Sequence, residues 1–428
     1  MPTIDLAAVS NRVGQDVELA YQMRGLAATI RISLPDVSFD FKFDNGSVST
    51  SQSKPGTDSC DAEIVAGEDF WKCALRAGVP APGYESLTMG GLKGLSTRGD
   101  FLRVIAPYQM GLQRLYRIFV EAVVGPLPRK AEFVPNRATD TAVGRYRYIR
   151  ANDIEARVYY EEAGHGSIPL LLHATAGADS RQYRNVLADP EMQARFRMYA
   201  YDLPYHGRSL PPMGVRWWER AYKPTLEYLM NWVVAFADAL ELDQPFFMGC
   251  SVGGQLALDL AAERPERFGA FVSLNGMYDP SSRVADATLN DRFRTPSISS
   301  YLAPGMNFGA TSPVGPESSA YEIQWIYHSG YPGIYAGDND YYLVGHDLKR
   351  NGHKLRAVTK PVYLVAGEYD PAAFDQDHGG IAVKKNIPNV EFIVAPGLSH
   401  FAMTDDPQGF STAIVPILDR VIAQTRKK

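Results

Sequence analysis

Residues 246–260, "FFMGCSVGGQLALDL", run from an apolar stretch through a small-residue turn holding one serine into a segment whose apolar positions recur at helical spacing. The first stretch reads as a strand buried on both faces and the second as a helix. A serine on a sharp turn between the two has its hydroxyl lifted above the sheet edge, with the helix N-terminus directly behind it. Side chains two places to either side would collide with the neighbouring strand and helix, so Gly249 and Gly253 flank Cys250-Ser251-Val252. The pattern is G-x-S-x-G. For an isolated match the alternative is a serine that caps a helix. Here the strand lies immediately before and the helix immediately after, as a strained elbow requires.

Outward from this point the rhythm is regular. From residue 145 onward, YIRANDIEARVYYEE, IPLLLHA, FRMYAYD, FFMGCS, AFVSLNG, VYLVAGEYD and EFIVAPG read as strands, most of them separated by helical stretches. Short, nearly continuous apolar strands predict an α/β unit with a mostly parallel sheet and helices on both faces. The first 125 residues differ: VSFDFKFDNGSVS alternates Val37, Phe39, Phe41 and Phe43 with polar residues and then reaches Asn45-Gly46, a hairpin signature. DAEIVAGEDFWKCALRA predicts a short strand and a helix, and FLRVIAPYQMGLQRLYRIFVEAVV a further helix. These make residues 1–125 a small α+β unit. The polar, proline-bearing stretch 126–144 is expected to link it to a second unit at 145–428.

The totals agree with two units, since 428 residues exceed what one hydrophobic core usually serves. A net charge of −5, with no basic cluster beyond the C-terminal RKK, excludes a nucleic-acid footprint. Cys60, Cys73 and Cys250 fit neither a disulfide framework nor a zinc site. The N-terminus lacks a secretory pattern, and no apolar run reaches membrane-spanning length, so a cytoplasmic protein is expected. No His, Asp and Glu cluster has ligand spacing, and neither a metal nor another cofactor is expected.

From the elbow outward, residues 145–428 resemble the α/β-hydrolase family. LLLHATAGADS matches the loop after the family's third strand, and AYDLPYHGRS the segment after its fourth. VAGEYDP and PGLSHFAMTDDPQGF match the loops that carry the acid and the histidine, in the family's order Ser, Asp, His. Chemistry supplies a reason for each assignment. A serine hydroxyl needs a base to take its proton during attack, which points to His400. A carboxylate must hold that ring in the right tautomer, and the family motif G-x-x-D places it at Asp370, with Glu368 the nearby rival. The tetrahedral oxyanion needs preorganised N–H donors: Val252, which follows the nucleophile, and Thr175 from the HATAG loop. The sequence departs from the family at His173-Ala174, where a His-Gly pair is usual. His206 matches a structural position, Asp202 is a strand-end turn residue, and His328, His346 and His378 are expected in loops or facing solvent.

The resemblance implies a lid from the stretch between AFVSLNG and VYLVAGEYD, at about 280–355. YEIQWIYHSGYPGIYAGDNDYY within it concentrates six tyrosines around Trp325. With Trp217, Trp218, Tyr335 and Phe401, these rings suit a pocket for a hydrophobic or aromatic small molecule. The expected activity is cofactor-free serine hydrolysis of an ester, thioester or lactone through an acyl-enzyme on Ser251. Two alternatives stand: carbon–carbon bond hydrolysis of a diketone-like aromatic substrate, weakened by His400-Phe401 where a His-Trp pair is usual, and a non-catalytic binder of hydrophobic ligands. The first unit resembles the sterol-carrier-protein-2-like fold in its hairpin, in DAEIVAGEDFWKCAL and in LSTRGDFLRVI. That implies a lipid-binding or accessory role; the alternative is packing or homodimer formation.

Overall fold

The computed structural model describes residues 2–56, 59–133, 140–280, 289–331, 333–370 and 374–426. The centre of the expected linker (134–139) and the start of the expected lid (281–288) lie outside the described residues.

Two sheets organise the chain. In the first unit, β1 (Ala27–Ser33), β2 (Ser38–Asp44), β3 (Ser47–Ser53), β4 (Ala62–Val65) and β5 (Ser96–Gly99) take the order β3-β2-β1-β4-β5. The expected hairpin is β2 and β3, paired from Asp44↔Ser47, with Asn45 and Gly46 in the left-handed region at φ 48° and 91°. Phe39, Phe41 and Phe43 point inward, as the alternation requires, and pack with Ile30, Ile32, Trp71 and Phe119 in this unit's own core. The expected helix over FLRVIAPYQMGLQRLYRIFVEAVV divides into a π-helical turn, Phe101–Ile105, and the helix Gln109–Val124. Pro107 lies in the break, where it has no N–H to carry the ladder through.

In the second unit, β6 (Val143–Ala151), β7 (Ile154–Ala163), β8 (Ile168–His173), β9 (Phe196–Tyr201), β10 (Phe246–Cys250), β11 (Ala270–Leu274), β12 (Val362–Gly367) and β13 (Glu391–Ala395) form one sheet. Their order is β13-β12-β11-β10-β8-β9-β7-β6. The six strands from β13 to β9 are parallel, and β7 and β6 close one edge antiparallel. β10 and β11 are buried along their whole length, which is why they read as unbroken apolar runs. The chain leaves β8 toward β9 on one side and reaches β10 on the other. This reversal opens a crevice at the carboxyl ends of β8 and β10, where doubly wound sheets place their ligands. Between β11 and β12 the helices Pro296–Phe308, Glu317–His328, Ile334–Asp340 and Leu348–Leu355 form an inserted layer.

Candidate active site

Ser251 occupies the turn between β10 and the helix Val252–Glu263 with φ 57° and ψ −111°, a backbone conformation an L-residue adopts only under constraint. The constraint is steric. A Cβ at Gly249 would lie 2.7 Å from Gly253 Cα, and one at Gly253 would lie 2.7 Å from the His173 carbonyl oxygen. Gly254 is held as tightly, against the Leu274 carbonyl, a demand the sequence pattern did not reveal. Val252 is the first residue of its helix, so its N–H has no intrahelical acceptor and points out of the N-terminus beside Ser251.

His400 and Asp370 come from the loops after β13 and β12, and the imidazole Nδ1 lies 2.6 Å from Asp370 Oδ2. Glu368 serves elsewhere, because its Oε2 accepts from the Gly397 N–H at 2.8 Å and so braces the loop that presents His400. Asn275 ties the two loops together. Its side chain donates to the His400 carbonyl at 3.0 Å and accepts from the Gly367 N–H at 2.8 Å, from a left-handed backbone at φ 53°. An asparagine ending a buried strand was the only sequence signal for this role. Ser251, Asp370 and His400 all line one cavity of about 470 Å³. Among the described residues no hydrogen bond joins the Ser251 hydroxyl to the imidazole.

Thr175 also lines this cavity, but its N–H is not available to an oxyanion: it donates to Gln182 Oε1 at 2.9 Å, and its hydroxyl pairs with Tyr327 OH at 2.7 Å. The expectation for Thr175 is therefore corrected. Gln182, seven residues on, folds back beneath the loop and takes the donor. Among the described residues the next N–H along, that of Ala176, donates to nothing, and Ala176 faces the same cavity. The loop is clamped from the inserted layer by Asp338, which accepts from Gly177 N–H at 2.7 Å and pairs with His206 Nε2 at 2.8 Å. Buried His173 bonds Tyr201 OH at 2.7 Å, and burial lowers its pKa to about 4, so the ring stays neutral under the elbow.

The aromatic expectations divide. Tyr335 lines the cavity with Tyr327 and Tyr342. Phe401 is buried behind His400, its ring edge-on at 4.8 Å between centroids, and supports the imidazole from outside the cavity. Trp217 and Trp218 pack against each other and Trp217 against Tyr331, at 40% and 64% exposure, away from the cavity. Trp325 is 64% exposed because Ile323, Ile326 and Tyr327 form the inward face of its helix, leaving position 325 outward. His346 is also corrected: it is wholly buried, with Nδ1 2.7 Å from Asp259 and Nε2 2.8 Å from the Met277 carbonyl. Among the described residues no three His, Cys, Asp or Glu side chains are grouped to hold a metal ion, and no helix is long and apolar enough to cross a membrane.

This architecture has known counterparts. Residues 168–304 match the family model described as alpha/beta hydrolase fold. A thermophilic esterase from Thermogutta terrifontis superposes with a TM-score of 0.54 at 18% identity, over 65% of this chain and 99% of its own. This chain has the α/β-hydrolase fold. An enol-lactonase from Burkholderia xenovorans LB400 shares the fold at a TM-score of 0.51 and 19% identity, over 64% of this chain and all of its own. Among curated proteins, the α/β-hydrolase unit is similar to a 2-hydroxy-6-oxononadienedioate/2-hydroxy-6-oxononatrienedioate hydrolase from Cupriavidus pinatubonensis, 22% identical over 65% of this chain and 96% of that one. It is also similar to 3-oxoadipate enol-lactonase 2 of Acinetobacter baylyi, 23% identical over 61% of this chain and 92% of that one. The family match lies within the second unit, and none of these relatives supports the sterol-carrier-like resemblance of the first.

Proposed function

We propose that this protein is a cofactor-free serine hydrolase of carboxylic esters, thioesters or lactones. The observation that carries the reading is the convergence on one cavity of Ser251, on a strained strand-to-helix turn, and the His400–Asp370 pair. Asp370 fixes the Nδ1–H tautomer, leaving the Nε2 lone pair to take the serine proton as Oγ attacks the carbonyl carbon. Charge then develops on the carbonyl oxygen, and the proposed donors to it are the N–H groups of Val252, at the helix N-terminus, and Ala176, which lines the cavity. Collapse expels the leaving group with the proton from His400, giving an acyl-enzyme on Ser251. Water repeats the cycle with His400 as base and releases the acid.

A second reading, hydrolysis of a carbon–carbon bond in a diketone-like substrate, is favoured by the relatives that bear such names and uses the same groups. One screen separates the two: purified protein against p-nitrophenyl esters of graded size and against aromatic diketones. Ester turnover that disappears in Ser251→Ala is the expected result. Ester turnover that survives in Ser251→Ala contradicts the nucleophile, and turnover of diketones alone replaces the first reading with the second.

A further inference from the structure

The first unit is not a remote appendage. Met89, Leu92, Leu95, Phe101 and Ile105, all before residue 125, line the same cavity as Ser251, Asp370 and His400. Phe293, Leu302 and Met306 of the inserted layer line it too. Met89 and Ala106 belong to one apolar cluster with Ala174 and Ala178 of the β8 loop and with Leu302, Ile326 and Phe401. The hydrophobic interior around the catalytic loops is therefore shared between the two units.

The seam is built tightly. Ser86 Oγ donates to the Gly309 carbonyl, Thr88 Oγ1 to the Met306 carbonyl at 2.8 Å, and Gln113 Nε2 to the Gly305 carbonyl at 3.3 Å. At Gly305 the helices Gln109–Val124 and Pro296–Phe308 approach so closely that a Cβ would lie 2.7 Å from Gln109 Cβ and 3.0 Å from the Met110 nitrogen. Arg117 pairs with Glu317 at 2.8 Å, and Tyr369, next to Asp370, donates its hydroxyl to the Pro80 carbonyl at 3.1 Å. At the rim the Arg292 guanidinium lies 4.0 Å over the Phe101 ring, joining the inserted layer to the first unit. Such contacts fix a surface in place; a freely tethered domain would have none of them.

Resting on the serine-hydrolase reading, we propose that the first unit is the specificity wall of this active site, and that its apolar side chains receive the non-reacting end of a medium-length hydrophobic acyl group. The α/β-hydrolase unit supplies the groups that act on the carbonyl. The wall from Met89 to Ile105 supplies apolar surface that a short acyl group would not reach and a longer one would bury. Binding energy from that remote end then favours longer acyl substrates in kcat/KM.

The test compares the full-length parent with Met89→Trp, which fills the cavity from a buried position, and with Leu92→Trp, at a lining position that is 43% exposed, each first checked for folding by circular dichroism. Two quantities are measured: the ratio of kcat/KM for p-nitrophenyl octanoate to that for the acetate, and the calorimetric Kd of decanoate. The wall predicts that the ratio falls and decanoate binding weakens, each by about tenfold or more. Unchanged ratio and affinity in both variants, or no decanoate binding by the parent, overturns the wall. A parent that cleaves no ester yet binds decanoate in a wall-sensitive way overturns the hydrolase reading and leaves the wall standing.

Discussion

His400 and His346 each hold an aspartate through Nδ1, His400 at 2.6 Å from Asp370 and His346 at 2.7 Å from Asp259. The second nitrogen separates them. In His346, Nε2 meets the Met277 carbonyl at 2.8 Å, so both nitrogens face acceptors. Burial opposes a charge on the ring, but the Asp259 carboxylate outweighs it and raises the His346 pKa. Asp259 is shared further with Tyr341 OH at 2.6 Å and Asn351 Nδ2 at 2.9 Å. Among the described residues nothing claims the second nitrogen of His400, which lines the cavity beside Ser251. A carboxylate partner therefore does not by itself make a histidine a base. What does is a second nitrogen left open to substrate.

The pairs break in different ways. Removing the proposed base has the largest expected effect: His400→Gln lowers kcat by about 10⁴-fold or more with little change in thermal stability. Asp370→Asn follows, with a loss on the order of 10⁴ from an inverted tautomer, whereas Glu368→Gln leaves kcat near the parent's because, among the described residues, its carboxylate bonds the Gly397 N–H and not His400. The reverse ranking would move the acid to Glu368. His346→Gln should do the opposite of His400→Gln: it strands Asp259 in the core and costs roughly 3 to 5 kcal/mol of stability, while kcat per folded molecule holds. Chemical denaturation with activity measured on the folded fraction distinguishes the two sites.

The smallest effect concerns a third carboxyl, Glu85, which has no imidazole. Its Oε2 accepts from the Gly83 N–H at 2.6 Å, its Oε1 is buried without a partner, and burial pushes its pKa up to about 7, with nearby Asp370 adding to the shift. Between the ordinary glutamate range and about 7 the folded state keeps a proton that the unfolded chain has lost, so stability falls as pH rises through that window. Burial raises Asp202 and Asp405 to about 6, which adds in the same direction. Glu85→Gln should therefore lose less stability than the parent between about pH 5 and 7.5, by on the order of 2 kcal/mol. Parallel melting curves across that range would contradict it.

What the sequence could reveal followed the range of the interaction. The elbow was legible because its strand, serine and helix are contiguous: Gly249 answers to Gly253 four residues on, and the approach of Gly253 to the His173 carbonyl lies outside that stretch. The Ser–Asp–His chain order came with the resemblance. Thr175 was misassigned as a donor because Gln182 reaches back to it across a turn, a contact with no periodic signature. Trp217, Trp218 and Trp325 carry the composition of a pocket but lie on outward faces, and composition does not say which face of a helix meets a neighbour. The burial of His346 and the bridging role of Asn275 depend on partners tens of residues away. The wall formed by residues 87–109 depends on docking between two units, and its seam is marked only by glycines at 305 and 309, which in sequence resemble any others.

The central claim is that one serine is activated by one histidine. Intact-protein and peptide mass spectrometry after treatment with a fluorophosphonate tests it directly, using the parent, His400→Gln and His346→Gln, each first checked for folding by circular dichroism. A single phosphonyl adduct on Ser251 is expected in the parent and in His346→Gln, and none in His400→Gln over the same time. An unlabelled parent, an adduct on another residue, or equal labelling of Ser251 in His400→Gln would contradict it.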